Sequence, residues 1–226
     1  MLAMRGRPFV PLLITSVAWY RYLLNLCLRL GAEPRSFQLI NLSSLLCRLP
    51  PPMSDASAAK QAAGAAAADL VESGMTLGLG TGSTTACALE ALGTRIQNDG
   101  LDIVGVPTSF AAERLAREHG IPVTTLDDVP RLDLALDGAD EVDPEGRLIK
   151  GRGAAHTREK VVAHAAERFV VLIDPSKPVD ELGHAFPLPI EIVPMALGPV
   201  QRMLANADAR PELRMGQAKD GPVISD

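Results

Sequence analysis

Leu132-Asp133-Leu134-Ala135-Leu136-Asp137-Gly138-Ala139-Asp140-Glu141 is an apolar run that breaks into an acidic turn. The run reads as a buried strand, and Asp137-Gly138 is a common turn pair. Leu148-Ile149-Lys150-Gly151 follows, short and extended, with its lysine just ahead of a glycine-containing turn. Thr157-Arg158-Glu159-Lys160 then opens a helical stretch. Carboxylates that can move protons therefore sit near a lysine that can hold an oxyanion. Such a set points to an enzyme.

On both sides of this stretch, strand and helix signals alternate. Upstream they predict a helix over 56–73 stopped by Gly74, a strand over 75–79, a helix over 84–96, a strand over 101–106, a helix over 109–118 and a strand over 121–126. Downstream they predict an extended piece over 147–150, a helix over 157–168 and a buried strand over 169–173 that ends at Asp174-Pro175. This rhythm specifies an α/β class, a Rossmann-like, largely parallel sheet with helices on both faces. Ligands of such sheets bind outside the carboxyl ends of the strands, which is where most of the motifs fall. From Phe186-Pro187-Leu188-Pro189-Ile190-Glu191 the pattern becomes Pro-rich and extended, followed by a helix over 198–207 and a closing strand-like stretch. Its last residues read as the start of a strand that is cut short.

Residues 1–52 have a different composition. They carry Arg5, Arg7, Arg21, Arg29, Arg35 and Arg48 against the single acid Glu33, with no lysine. The apolar run over 9–20 is shorter than the roughly 20 residues a bilayer span needs. An arginine-rich, acid-poor transit segment fits it better than a signal peptide. A start at Met53 fits better still, since Ser54 or Asp55 can cap an Ala-rich helix immediately after it. The expected organisation is a non-domain extension over 1–52, an α/β catalytic domain over 53–183 and an incomplete second domain over 184–226. A net charge of −5 argues against a nucleic-acid partner. Cys27, Cys47 and Cys87 show no paired or zinc-ligand spacing, and His119, His156, His164 and His184 are scattered, so no metal is expected. Cysteine usage fits the cytoplasm, with organelle targeting by residues 1–52 as the alternative, and no membrane partner is expected.

Gly78-Leu79-Gly80-Thr81-Gly82-Ser83-Thr84 is the second unusual segment, a glycine-rich turn between a strand and a helix. Backbone N–H groups and a helix start can hold a phosphate there. The third glycine of a dinucleotide fingerprint is replaced by Ser83, and the lysine of a Walker loop is missing. A calcium loop starting at Asp137 would end on Leu148 rather than Glu, which excludes it. Taken singly, the loop could be a packing turn, Asp137 and Asp140 a solvated turn, and Glu159, Lys150 and Lys177 surface charges. Their shared placement at strand ends sets them apart.

In this order the motifs GLGTGST, Pro107-Thr108-Ser109, LDGADE, LIKG, TREK, the 174–177 segment and FPLPIEIVPMA closely resemble the type A ribose-5-phosphate isomerase family. The resemblance runs from about Lys60 to Asp226 and implies that the last part is the start of a smaller α+β domain, truncated here. It implies aldose–ketose interconversion of ribose 5-phosphate and ribulose 5-phosphate through an enediolate, in the pentose phosphate pathway and without a cofactor. It casts Glu159 as general base, Asp137 as an aid to proton exchange or ring opening, and Lys150 as the oxyanion holder. Thr81, Gly82, Ser83, Thr84, Gly138, Ala139, Asp140, Gly151, Arg152, Gly153 and Lys177, together with Asp137 and Lys150 themselves, would bind the sugar phosphate, with Lys60 nearby. A homodimer or higher homo-oligomer is implied where the second domain is complete. Two departures stand out: Arg152 interrupts a run of glycines, where it would intrude on the pocket or meet a positive φ, and His156 replaces an apolar residue. Arg152 and the short second domain favour a truncated non-catalytic sugar-phosphate-binding homologue as the alternative, which the complete set of Asp137, Asp140, Lys150 and Glu159 opposes. Coenzyme A transferases and sugar-phosphate deaminases use similar folds but do not explain the motif order.

Overall fold

The computed structural model describes residues 2–4, 56–217 and 220–226. The targeting reading of the N-terminal extension, the Met53 start and the Ser54 or Asp55 cap lie outside those residues. The one described piece of the extension, β1 (Leu2–Met4), pairs antiparallel with β8 (Pro211–Leu213).

Four strands form the central sheet: β2 (Thr76–Leu79), β3 (Val104–Pro107), β4 (Leu132–Gly138) and β7 (Ala166–Leu172). Their order is β3-β2-β4-β7, and every pairing is parallel. Side chains alternate across the sheet as the two-residue period requires. Leu77, Leu79, Leu134, Leu136, Val170 and Leu172 enter one core layer, and Ala135, Phe169 and Val171 the other. The first layer is closed by α1 (Ala56–Ala68), α2 (Ser83–Asp99) and α3 (Phe110–Glu118), the second by α4 (His156–Ala165) through Val162. Helices thus cover both faces.

Small residues set the spacing. A Cβ on Gly78 would lie 2.5 Å from Val162 Cγ1, so the glycine lets α4 approach β2 closely. A Cβ on Gly64 would lie 2.6 Å from the backbone of Ala88, which explains the bare, Ala-rich face that α1 turns to α2. Ser109 caps α3 by accepting the Ala112 N–H at 3.0 Å, and Gly100 ends α2 in the left-handed region at φ 67°.

Several predicted elements differ: the helix expected over 56–73 already ends at Ala68, well before Gly74, and the strand expected over 101–106 begins at Val104. The strand expected over 121–126 is only a bridge between Val123 and Gly105; past Thr124, whose N–H still donates to Gly105 O, the chain turns, with Asp128 accepting the hydroxyls of Thr124 and Thr125. The helix expected over 157–168 ends at Ala165, and Ala166 passes straight into β7. Glu167 and Arg168 are good helix formers, yet pairing of Leu134 with Arg168 holds them extended, a tertiary override of propensity.

Chain order places β3 on one side of β2 and β4 on the other, so the carboxyl ends of β2 and β4 flank the switch point of the sheet. A small antiparallel hairpin, β5 (Glu141–Val142) and β6 (Leu148–Ile149), rises from this edge. Beyond β7 come a 3-10 turn (Pro194–Ala196), α5 (Leu197–Asn206) and β8, with Met215 bridging Pro222. Within the described residues no helix is long and apolar enough to cross a membrane.

Candidate active site

Asp137, near the end of β4, is 2% exposed. Its Oδ1 accepts the N–H groups of Gly138 at 2.7 Å and Thr81 at 3.1 Å, and its Oδ2 accepts Lys150 Nζ at 2.9 Å. The loop after β2 comes this close because residue 80 is glycine: a Cβ there would lie 2.3 Å from Asp137 Oδ1. The Thr81 hydroxyl donates to Ser109 Oγ at 2.7 Å and shares a 2.8 Å hydrogen bond with Thr108. The three loops quoted from the sequence thus brace one another.

The β5–β6 hairpin folds Lys150 back over Asp137, with the Asp140 N–H donating to Ile149 O at 2.7 Å. Lys150 Nζ also donates to Gly138 O and lies 3.2 Å from Glu159 Oε2. Burial works against its charge, but the Asp137 and Glu159 carboxylates outweigh burial and hold its pKa above the ordinary lysine value.

Glu159 sits in the first turn of α4, 4% exposed. Burial pushes its carboxyl from 4.5 up to about 7; Asp137 and Asp140 push the same way and Lys150 opposes. Its Oε2 accepts no well-aligned hydrogen bond, so the contact with Lys150 is an ion pair of poor hydrogen-bond geometry. That oxygen keeps a lone pair for a proton.

A cavity of about 270 Å³ opens over this set. Thr81, Gly82, Ser83, Thr84, Gly138, Ala139, Asp140, Lys150, Gly151, Arg152, Gly153, Glu159 and Lys177 line it. Asp137 stands back from its surface, bonded to Lys150. Lys60 does not line it; its Nζ is 4.0 Å from Asp174, beside Lys177. A larger hollow of about 350 Å³ lies between α1 and α2, away from the strand ends, and its Arg95 is occupied with the carbonyls of Ala68 and Val71.

Of the two difficulties expected at Arg152, one is met: it lines the cavity but does not take a positive φ. Positive φ falls on its neighbours, Gly151 at 101° and Ala154 at 62°, and Arg152 is spared. Its N–H donates to Asp140 at 3.0 Å, and its guanidinium stacks 4.2 Å from the Phe186 ring centroid, at the cavity rim. His156 packs against Gly151, where a Cβ would come within 3.1 Å of it; burial, Lys160 and Lys150 lower its pKa.

Three residues with a part in the site escaped sequence reading. Thr85, one helical turn after Thr81, lines the cavity with a buried, unpartnered hydroxyl; its i+4 spacing from Thr81 was the available signal. Glu141 is 1% exposed and accepts the N–H groups of Ala185 at 2.7 Å and Phe186 at 2.9 Å, holding the ring on which Arg152 stacks. Glu191 accepts the Thr157 N–H at 2.9 Å across 34 positions of sequence, a separation that carries no local signal.

Residues 104–226 match the family model of ribose 5-phosphate isomerase A (phosphoriboisomerase A). The chain is 58% identical over 168 residues to ribose-5-phosphate isomerase A of Thermosynechococcus vestitus, covering 74% of this chain and 71% of that protein. A solved D-ribose-5-phosphate isomerase in complex with phospho-erythronic acid superposes with a TM-score of 0.74 at 48% identity, over 76% of each chain. The ribose 5-phosphate isomerase A of Methanocaldococcus jannaschii also gives 0.74, at 44% identity and the same coverage.

Proposed function

This chain belongs to the ribose 5-phosphate isomerase A family, an enzyme interconverting ribose 5-phosphate and ribulose 5-phosphate, and we propose that Glu159 carries the proton. The observation behind this reading is a cavity-lining, buried carboxyl raised to about 7, with one oxygen free of hydrogen bonds and 3.2 Å from a lysine. A free glutamate near 4.3 is too weak a base for a sugar C–H, and burial brings it toward the working pH.

The C2 proton of the open-chain aldose goes to Glu159. The C2–H electron pair forms the C1–C2 double bond while the carbonyl pair moves onto O1, where Lys150 Nζ meets the developing charge. Glu159 returns the proton to C1, and as the C2 carbonyl forms O2 loses its proton and O1 gains one, so the net change moves one proton from C2 to C1 and one from O2 to O1. Both oxygens of Asp137 accept donors already, which supports an anchoring role for it: it holds Lys150 and the loop at Thr81. The start of α2 has no side-chain cap, so its first N–H groups, with the hydroxyls of Ser83 and Thr84 and the ammonium of Lys177, suit the phosphate. Asp140 and the turn 151–153 would hold the sugar. The same reading takes 53–183 as the catalytic domain and 184–226 as part of a second, and places a homo-oligomer in the cytoplasm.

Glu159→Gln tests the assignment. The amide keeps the shape and cannot take the proton, so kcat should fall about 10²–10⁴-fold with ribose 5-phosphate affinity largely kept. Retained turnover would move the base elsewhere.

A further inference from the structure

Helix α4 carries Glu159 but has no cap of its own. Its N-cap position is Ala155, with no side-chain hydrogen bond, whereas α3 is capped by its own Ser109. The first N–H groups of a helix have no partner within it, and alanine is among the poorest residues to supply one. At α4 the partner comes from far away in sequence. Glu191 Oε2 accepts the Thr157 N–H at 2.9 Å, and Glu191 Oε1 accepts the Ser225 hydroxyl at 2.6 Å. The Asp226 N–H donates to Ala154 O at 2.9 Å, so the same segment also holds the turn leading into the helix. An anion belongs at this end of a helix dipole. Burial disfavours the Glu191 charge, but the bonds from Ser225 and Thr157 and the nearby His156 hold its carboxyl below the ordinary glutamate range. Thr157 and Glu159 share the first turn, and the Glu159 N–H is itself bonded to Ala155 O at 2.9 Å. Whatever fixes Thr157 therefore fixes the backbone from which Glu159 reaches Lys150.

We propose that Glu191 is a positioning residue for the isomerisation: its carboxylate caps α4 from outside the helix and sets Glu159 against Lys150. The proposal deepens the reading of Glu159 as base and rests on it. It assigns the FPLPIEIVPMA segment a part in the reaction without any contact to the sugar.

Steady-state kinetics of Glu191→Ala, Glu191→Gln and Ser225→Ala, with Glu159→Gln alongside, separate the possibilities. A glutamine oxygen can still accept the Thr157 N–H, and the Ser225 hydroxyl can turn to accept from the amide. Glu191→Ala should lower kcat roughly 10-fold to 100-fold with KM within about threefold of wild type, while Glu191→Gln recovers most of the loss. An unchanged kcat in Glu191→Ala, a rise in KM alone, or equal losses in both variants would overturn the proposal. Should Glu191→Ala fail to fold, Ser225→Ala decides by the same split: a smaller fall in kcat at constant KM supports it, and wild-type kcat overturns it. Full turnover in Glu159→Gln would remove the base assignment and this inference together, whereas an inert Glu159→Gln beside a fully active Glu191→Ala would remove this inference alone.

Discussion

Asp137 at the end of β4 and Glu159 at the start of α4 are both buried carboxylates, and both touch Lys150 Nζ. They differ in what else they meet. Asp137 is wrapped by two backbone N–H groups and the lysine, which are the surroundings of an anchor. Glu159 has the lysine alone, at poor hydrogen-bond geometry, and burial raises its carboxyl to about 7. One strand end thus carries a carboxyl filled by donors and bonded to the cation, and one helix start a carboxyl that burial raises toward neutrality. Donor count, more than the choice of Asp or Glu, separates the two roles.

The strongest way to break this division is to remove the cation that both share. Lys150→Ala should lower kcat by about 10²–10³-fold through loss of oxyanion stabilisation. It should also destabilise the fold, because breaking a buried ion pair costs about 3–5 kcal/mol. Activity near wild type would leave the oxyanion to some other group.

A smaller and sharper contrast is thermal. For Glu159 the folded pKa, about 7, lies above the ordinary 4.5. The stability tied to its protonated form is therefore full below about 4.5 and lost as pH rises through about 7. The loss at pH 8 is on the order of 3 kcal/mol. Glu159→Gln should thus gain melting temperature over wild type between about pH 5 and pH 8, at roughly 2–4 °C per kcal/mol. Asp137→Asn should lower it throughout, by about 1–3 kcal/mol, because whichever way the amide turned its nitrogen would face a donor, Lys150 Nζ or the two backbone N–H groups. If both variants moved the same way with pH, the two carboxylates would not be in different environments.

Much of this was legible in the chain. Apolar runs ending in Gly80-Thr81, Asp137-Gly138 and Asp174-Pro175 mark parallel strands whose carboxyl ends share one edge, and local pattern suffices for that. The hairpin that turns Lys150 onto Asp137 was visible only as a short extended piece, since a two-residue pairing has no periodicity to read. Boundaries failed where tertiary contacts compete with propensity, as at Ala166, where the register against Leu132 ends α4. Glu141 and Glu191 escaped because their significance lies in partners far along the chain, and the stacking of Arg152 on Phe186 is equally long-range.

The pH dependence of kcat/KM for the aldose-to-ketose direction tests the central claim, that burial makes Glu159 a base at neutral pH. The free-enzyme pKa of the essential base appears as the acid limb of that profile. With Glu159 raised to about 7, the limb should bend near 7, and activity should fall about tenfold per unit below it. A profile that stays flat down to about pH 5 would mean that the proton is taken by a carboxylate of ordinary strength, and the assignment to Glu159 would be wrong.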